Sequence, residues 1–188
     1  MAMTNVFTGS NGTLSLAFED TPEGQDAKAV IDLYQVQTVG RVTGVEVAVQ
    51  TDLEEFHEIG RRHPTSLHPG DIHISGKIDR AHINGALLFL LLGRGAAPNN
   101  IAEPYVQPVF NMVVSLNDPA VPGNVAALEL KGVKLQNWGY SMPEEDFVME
   151  NITFKALSIS VRDSEAPAGG GGGEPVALAP TFPGAATA

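Results

Sequence analysis

The stretch from Val125 to Val161 constrains the fold most, because its pattern predicts two long β-strands joined by one turn. Apolar residues alternate with polar ones up to Leu130, and the alternation changes phase at Gly132, which predicts a β-bulge. The return strand changes phase once more after Ala156. We expect each strand to have about 13 to 15 residues, so a sheet built on this pair must twist and curl.

Shorter alternating segments predict the other strands of the sheet. They cover residues 13–18, 44–50, 71–78 and 109–116. In the third of these segments we expect Ile72, Ile74 and Ile78 to face the core. Residues 29–39 are rich in residues typical of strands and predict a further strand, which would form a hairpin with the first one.

One segment has the periodicity of a helix, over about residues 79–92. Asp79 is placed to cap its start and Gly93 to end it. Its apolar stripe comprises Ile83, Ala86, Leu87, Leu90 and Leu91. Together the elements predict a mainly β fold, in which two packed antiparallel sheets form a β-sandwich or half-open barrel with one flanking α-helix.

The chain of 188 residues is most simply one β domain over residues 1–163, followed by a tail at residues 164–188. The tail is rich in Gly, Pro and Ala and contains a run of glycines from Gly169 to Gly173. Such a segment cannot bury enough apolar area to offset its chain entropy, so we expect it to have no fold of its own.

Composition excludes several classes of function. The chain has no cysteine, which excludes disulfides and thiolate chemistry and indicates synthesis inside a cell. The start lacks a secretory signal, and the longest apolar run, residues 86–92, is far shorter than the roughly 20 residues that cross a bilayer, so we expect no membrane partner. The net charge of −11 argues against tight binding of nucleic acid, which draws on clustered Lys and Arg.

Residues 51–70 have no sustained period and contain two prolines and two glycines. We predict a long loop here, and long loops inside compact domains commonly carry a function or lie against a partner. Four acids precede Gly60 and two arginines follow it, which favours contact with another copy of the chain. The residues predicted to make that contact are Leu53, Glu54, Glu55, Phe56, Glu58, Arg61 and Arg62.

The residues that commonly carry chemistry form no recognisable site. His63, His68 and His73 recur at intervals of five but match no zinc pattern, so we expect no metal site and no cofactor. The three acids at 144–146 are predicted to form a solvated turn rather than a catalytic pair. No nucleophile is accompanied by a base and an orienting group, so the sequence predicts a protein that is not an enzyme.

Five motifs, in this order and spacing across residues 40–161, resemble the tail tube proteins of long-tailed bacteriophages, contractile or non-contractile, and of related contractile injection machines. They are Glu58–Pro64, Pro69–Asn84, Pro108–Asn111, Leu130–Leu135 and Glu150–Ala156. The resemblance implies the phage tail tube fold and a structural virion protein whose subunits assemble into six-membered rings. The rings would stack into a hollow tube in the virion tail, through which the genome is ejected into the host.

The same resemblance implies which partners the protein has. The chain would bind itself in rings and stacks, with the loop at Leu53–Gly70 reaching a neighbouring subunit or ring. Other partners would be the sheath, the baseplate hub, the tape measure and the tail terminator, and assembly would take place in the host cytoplasm. DNA would pass through the lumen without tight binding, because an acidic wall repels phosphate, and Glu46 is the residue predicted to line that wall.

Two alternatives remain open from the sequence alone. The first is the inner tube of a contractile injection machine that delivers protein instead of DNA. The second is a monomeric β-barrel that binds a ligand, which would require a cavity inside the barrel. The apolar helix argues against an empty interior, because it would plug one opening or cover one face of the barrel.

Overall fold

The computed structural model describes residues 7–96, 106–117, 123–165 and 176–178, and this part of the chain contains eight strands and two α-helices. The strands are β1 (Gly12–Phe18), β2 (Val42–Phe56), β3 (Ser66–Ala81), β4 (Phe110–Asn117), β5 (Val125–Ser141), β6 (Met149–Ala156), β7 (Ser158–Glu165) and β8 (Val176–Leu178). The helices are α1 (Pro22–Tyr34) and α2 (Ala86–Leu92), and two short 3-10 turns lie at Gly9–Asn11 and Gly93–Ala96.

All neighbouring strands are antiparallel, and they form two layers that share β5. The first half of β5 lies between β4 and β7, so the first layer has the order β1-β4-β5-β7-β8. The second half of β5 pairs with β6, so the second layer has the order β5-β6-β3-β2. The prediction of a mainly β fold with packed antiparallel sheets is therefore confirmed.

The crossing of β5 between the two layers takes place at Gly132, where the sequence predicted a bulge. Gly132 has a φ of +63°, and a Cβ at this position would collide with the side chain of Leu157. On the opposite strand, the amide of Leu157 donates to the carbonyl oxygen of Lys131 at 3.0 Å. Leu157 also separates β6 from β7, so both predicted phase changes lie at the crossing and both are confirmed.

The core fills the space between the two layers, and α2 packs against it. Both sheets and both helices contribute to the core, whose largest buried apolar side chains include Leu14, Ile31, Ile78, Leu87, Leu90, Phe110, Met112, Leu130, Ile152 and Phe154. Because α2 buries Ala86, Leu87 and Leu90 here, the interior is occupied by the chain's own side chains.

The predicted strand at residues 29–39 is wrong, because most of this segment belongs to α1. The helix begins after Thr21, whose hydroxyl accepts a hydrogen bond from the amide of Gly24 at 3.0 Å, and Pro22 occupies the first helical position. It ends at Gln35, which has a left-handed conformation with φ of 52°. The described ranges therefore contain two α-helices rather than one, and an isolated bridge between Ser15 and Thr38 joins the end of this segment to β1.

The start of the predicted helix at residue 79 is also wrong. Strand β3 continues to Ala81, and α2 begins only after Gly85. Asp79 is therefore a strand residue and no N-cap. Of the isoleucines predicted to face the core, Ile74 and Ile78 are buried, whereas Ile72 is exposed.

The tail contributes a short element that the sequence did not predict. Strand β8 pairs with the end of β7, so residues 176–178 extend the first layer, and the expectation that the tail has no fold of its own stays a prediction. Ser164 and Glu165 belong to β7, and residues 166–175 and 179–188 lie outside the described part of the chain.

A buried ion pair joins β3 to β6 at the end of the second layer. Arg80 and Glu150 are direct partners in the ladder, and the Arg80 Nε donates to Glu150 Oε2 at 2.7 Å. Both residues are 1% exposed, and the other carboxylate oxygen contacts Nδ1 of His82. Arg80 also donates to the carbonyl oxygen of Asn84 at 3.2 Å, so the pair holds the chain that leads into α2.

We expect the substitution Gly132→Ala to destabilise the fold by about 1–3 kcal/mol, because alanine is strained at positive φ and its methyl group would displace Leu157. Chemical denaturation of the purified variant measures this change. The control is Gly9→Ala, since no atom lies within 4 Å of a Cβ at Gly9. Equal stability of the two variants would contradict the role given to the crossing.

We expect the substitution Glu150→Gln to destabilise the fold by about 3–5 kcal/mol, because Arg80 would keep its charge in a buried position with no counter-charge. The matched control is Arg162→Gln, which removes one member of an ion pair at the surface. Arg162 contacts Glu129 at 2.8 Å. That change should cost less than about 1 kcal/mol. Thermal and chemical unfolding of both variants measure the difference.

Candidate assembly surfaces

The four-stranded layer β5-β6-β3-β2 has two uncovered edges within the described residues. Strand β2 pairs only with β3, so the other edge of its 15 residues has no partner there. At the opposite side of the layer, β4 pairs with β5 only as far as Val133, and the second half of β5 pairs only with β6. A strand edge of this kind presents a row of unpaired amide and carbonyl groups.

The direction of individual backbone groups is known at both edges. The carbonyl oxygen of Glu46 lies against Gly76 on β3, because glycine leaves room there. In an antiparallel ladder the amides of alternate residues point to opposite sides of the strand, so those of Val47 and Val49 point to the uncovered edge. At the other edge, the side-chain amide of Gln107 donates to the carbonyl oxygen of Leu135, which marks where the uncovered part of β5 begins.

The outer face of this layer, which points away from the core, carries charges of both signs. Glu46 lies on this face opposite Lys77, and the Nζ of Lys77 contacts a carboxylate oxygen of Asp79 at 2.8 Å. The hydrogen bond to Asp79 raises the pKa of Lys77, and Glu46 adds a smaller electrostatic contribution in the same direction. Lys134 and Lys155 lie on the same face, so lysines accompany the acid that the sequence placed there.

The segment predicted as an irregular loop at residues 51–70 is a projecting β-hairpin instead. Strand β2 continues to Phe56 and β3 begins at Ser66, which leaves only residues 57–65 as the connecting loop. The prediction failed because both faces of the hairpin are exposed, so no polar and apolar alternation marks the strands.

All seven residues predicted to contact another copy lie on this hairpin and are exposed. Leu53, Glu54, Glu55 and Phe56 belong to β2, whereas Glu58, Arg61 and Arg62 belong to the loop. Within the loop, Arg61 contacts Glu58 at 3.2 Å. The structure therefore brings the predicted residues together at one end of the molecule.

The hairpin continues the apolar inner face of the sheet beyond the core. Val49 and Ile72 lie on the inner face of the ladder, at the margin of the core, and Leu53 and Leu67 lie on the same face nearer the hairpin tip. These four side chains are 52% to 65% exposed. Ile59, at the tip of the connecting loop, is fully exposed, and exposed apolar side chains that adjoin one another are typical of a protein–protein contact.

The turn between β5 and β6 lies at the opposite end of the layer from the hairpin tip. Ala81 pairs with Met149 next to this turn, whereas Phe56 and Ser66 close the hairpin at the far end. As the sequence predicted, the acids at residues 144–146 are exposed there. Two large apolar residues beside them, Met142 at 72% exposed and Phe147 at 77%, were not among the predicted contact residues, although both flank a turn.

In the described part of the chain, no three His, Asp or Glu side chains are placed to hold a metal ion together. Among the helices of the described ranges, none is long and apolar enough to span a bilayer.

Comparison with known proteins gives similarity in structure only. No protein-family model matches the chain, and no match is found among curated proteins. Among solved structures, the chain is similar to a protein in the sheath-tube complex of the extracellular contractile injection system PVC in its extended state. The TM-score is 0.58 at 12% identity, over 86% of this chain and 95% of the other.

The chain is also similar in fold to two further solved structures. For a protein in the tube-terminating cap of the anti-feeding prophage, the TM-score is 0.56 at 12% identity, with 87% of this chain and 99% of the other covered. For the SPP1 tail tube, the TM-score is 0.51 at 10% identity, with 84% of this chain and 80% of the other covered. The chain therefore has the fold of the tail tube proteins of phages and contractile injection systems.

Proposed function

We propose that this protein is a structural subunit whose copies join into rings, and that the rings stack into the hollow tube of a virion tail. The observation that carries the proposal is the pair of uncovered edges on one four-stranded layer, at β2 and at the second half of β5. Each edge presents unpaired amide and carbonyl groups, with which the other edge can form hydrogen bonds.

The strand order makes the two edges compatible with each other. Directions alternate across β5-β6-β3-β2, so β2 and β5 run in opposite directions. When β2 of one copy is placed beside β5 of the next, the pair is antiparallel and continues the sheet. Such a contact is head-to-tail, and it closes into a ring when the rotation between copies is right. The number of six subunits rests on the resemblance in sequence.

Stacking of the rings is assigned to the hairpin. The residues proposed for this contact are Leu53, Glu54, Glu55, Phe56, Glu58, Arg61 and Arg62. Two arginines and the exposed Ile59 lie at the hairpin end of the molecule, whereas three acids with Met142 and Phe147 lie at the other end. Contacts of Arg61 and Arg62 with the acids at residues 144–146, and of the apolar side chains at both ends, suit a stack in which every ring faces the same way.

The lumen of the tube is assigned to the outer face of the four-stranded layer. Glu46 would line the channel together with the lysines of that face. DNA would pass through the tube without tight binding, because the net charge of −11 repels phosphate. The other proposed partners are the sheath, the baseplate hub, the tape measure and the tail terminator, with assembly in the host cytoplasm.

A second candidate function is the inner tube of a contractile injection machine that delivers protein. The similarity to proteins of PVC and the anti-feeding prophage favours it, with TM-scores of 0.58 and 0.56. Both candidates are structural and neither involves catalysis. Nuclease treatment of purified particles followed by analysis of the protected contents separates them, because a phage tail belongs to a particle that protects DNA.

We expect the substitution Val49→Pro to abolish rings while the subunit still folds. The amide of Val49 points to the uncovered edge, so proline leaves the ladder with β3 intact but removes a donor and blocks strand addition. Negative-stain electron microscopy and light scattering of the concentrated protein measure the loss of rings or tubes. Val49→Ala is the control and should assemble, and assembly of both variants would contradict the proposed edge contact.

We expect the substitution Ile59→Asp to weaken stacking but leave single rings intact. Ile59 is fully exposed at the hairpin tip, so a charge there does not disturb the core. Burial of that charge in a ring-to-ring contact would cost free energy, because the carboxylate would lose its water. The concentration needed for tubes should rise by about tenfold or more, as for loss of one well-packed contact. Ile59→Val should stack normally, whereas normal tubes from the aspartate variant would exclude the tip from the contact.

A further inference from the structure

Two lysines stand opposite each other on the outer face of the four-stranded layer. Lys134 of β5 and Lys155 of β6 are direct partners in the ladder, and both are exposed. Like charges in directly opposed positions repel, because their Cβ atoms lie only about 5 Å apart. Among the described residues, no carboxylate forms an ion pair with either lysine. The third lysine of this face differs, since Lys77 contacts Asp79 at 2.8 Å.

The position of this lysine pair matters because β5 is an edge strand there. Lys134 lies where β4 has ended and the uncovered part of β5 begins. A depression beside it is lined by Gln107, Leu135 and Gln136 together with the two lysines. A strand added to this edge would therefore place its outward side chains next to Lys134.

The opposite edge of the layer carries the complementary charge. Glu46 is exposed on β2, and within the described ranges its carboxylate takes part in no ion pair. Its partner across the ladder is Lys77, whose ammonium group is already bound to Asp79. On the same face of the sheet, the β2 edge thus presents a carboxylate without an ion-pair partner, and the β5 edge presents two ammonium groups without one.

We infer that Glu46 of one subunit forms an ion pair with Lys134 of the next subunit, and that this pair relieves the repulsion between Lys134 and Lys155. The inference rests on the proposed ring, in which β2 of one copy lies beside β5 of its neighbour. It assigns Glu46 a role in fixing which copies join and in what register, in addition to any role in lining the channel.

The pleat of the sheet limits the possible registers. Ala48, Ser75, Lys155 and Lys134 form one row across the layer, so without any offset Ala48 of the neighbour would face Lys134. Closure of a barrel requires the strands to be offset, and only even offsets keep side chains on the same face. An offset of two residues towards the start of β2 places Glu46 opposite Lys134. At offsets of zero or four residues Glu46 is a diagonal neighbour, which a long lysine side chain still reaches.

The test exploits the head-to-tail nature of the contact. Lys134→Glu and Glu46→Lys each place like charges at every contact, so each variant alone should assemble about tenfold less readily or worse. When the two variants are mixed in equal amounts, each meets only complementary edges of the other. We expect the mixture, and the double variant K134E/E46K, to form rings and tubes as the unmodified chain does. Light scattering and electron microscopy of the full chain measure assembly, and unfolding measurements check that both exposed substitutions leave the subunit folded.

Asp52 provides the matched control, because it lies on the same strand but already contacts His73 at 3.3 Å. Asp52→Lys mixed with Lys134→Glu should not restore assembly. Restoration by Asp52→Lys instead of Glu46→Lys would overturn the assignment, and so would normal assembly of either single variant or failure of the mixture. These results leave the proposed function standing as long as the unmodified chain forms rings. If the unmodified chain forms neither rings nor tubes at any concentration or with a purified baseplate, the proposed function and this inference both fail.

Discussion

Unpaired backbone groups along two strand edges are the constraint on which the rest of this structure depends. Strands β3 and β6 have partners on both sides, whereas the 15 residues of β2 have a partner on one side only within the described part of the chain. A long uncovered edge promotes aggregation, and monomeric proteins usually cover or interrupt it. In this chain the edge extends into a hairpin with exposed Leu53, Leu67 and Ile72, which enlarges the uncovered surface. These features agree with an edge that is kept for assembly.

The crossing of β5 explains how one strand belongs to both the core and the candidate assembly surface. Up to Gly132 the strand has β4 on one side and β7 on the other, so its backbone is fully paired. Beyond that point it enters the second layer, where, among the residues that the structure describes, β6 is its one partner strand. The bulge therefore separates a buried half from an exposed half, and the collision that any side chain at Gly132 would have with Leu157 fixes where the change takes place. The unpaired edge is thus a consequence of a local backbone conformation.

Local patterns in the sequence predicted the parts of the structure that depend on neighbouring residues. The bulge at Gly132 and the turn at residues 144–146 follow from period-two alternation and from turn residues. Helix α1 was missed because Val30 and Ile31 favour strands, although Thr21 and Pro22 form a good helix start. Tertiary packing stabilises the helix against this local preference, since Ile31 is buried in the core. The uncovered edges could not be predicted, because they depend on which distant strands pair.

The charge of the chain sets how these edges are used. A net charge of −11 makes two subunits repel each other at long range, and salt reduces this repulsion beyond about 10 Å. Contacts that act at shorter range must therefore overcome it: backbone hydrogen bonds along β2 and β5, apolar side chains of the hairpin, and the inferred pair of Glu46 with Lys134. A single contact of this kind is weak, but a closed ring forms every contact at once. In the proposed assembly, copies of an acidic subunit with complementary edges would thus stay apart when dilute and join cooperatively once a ring or a growing tube supplies several contacts together.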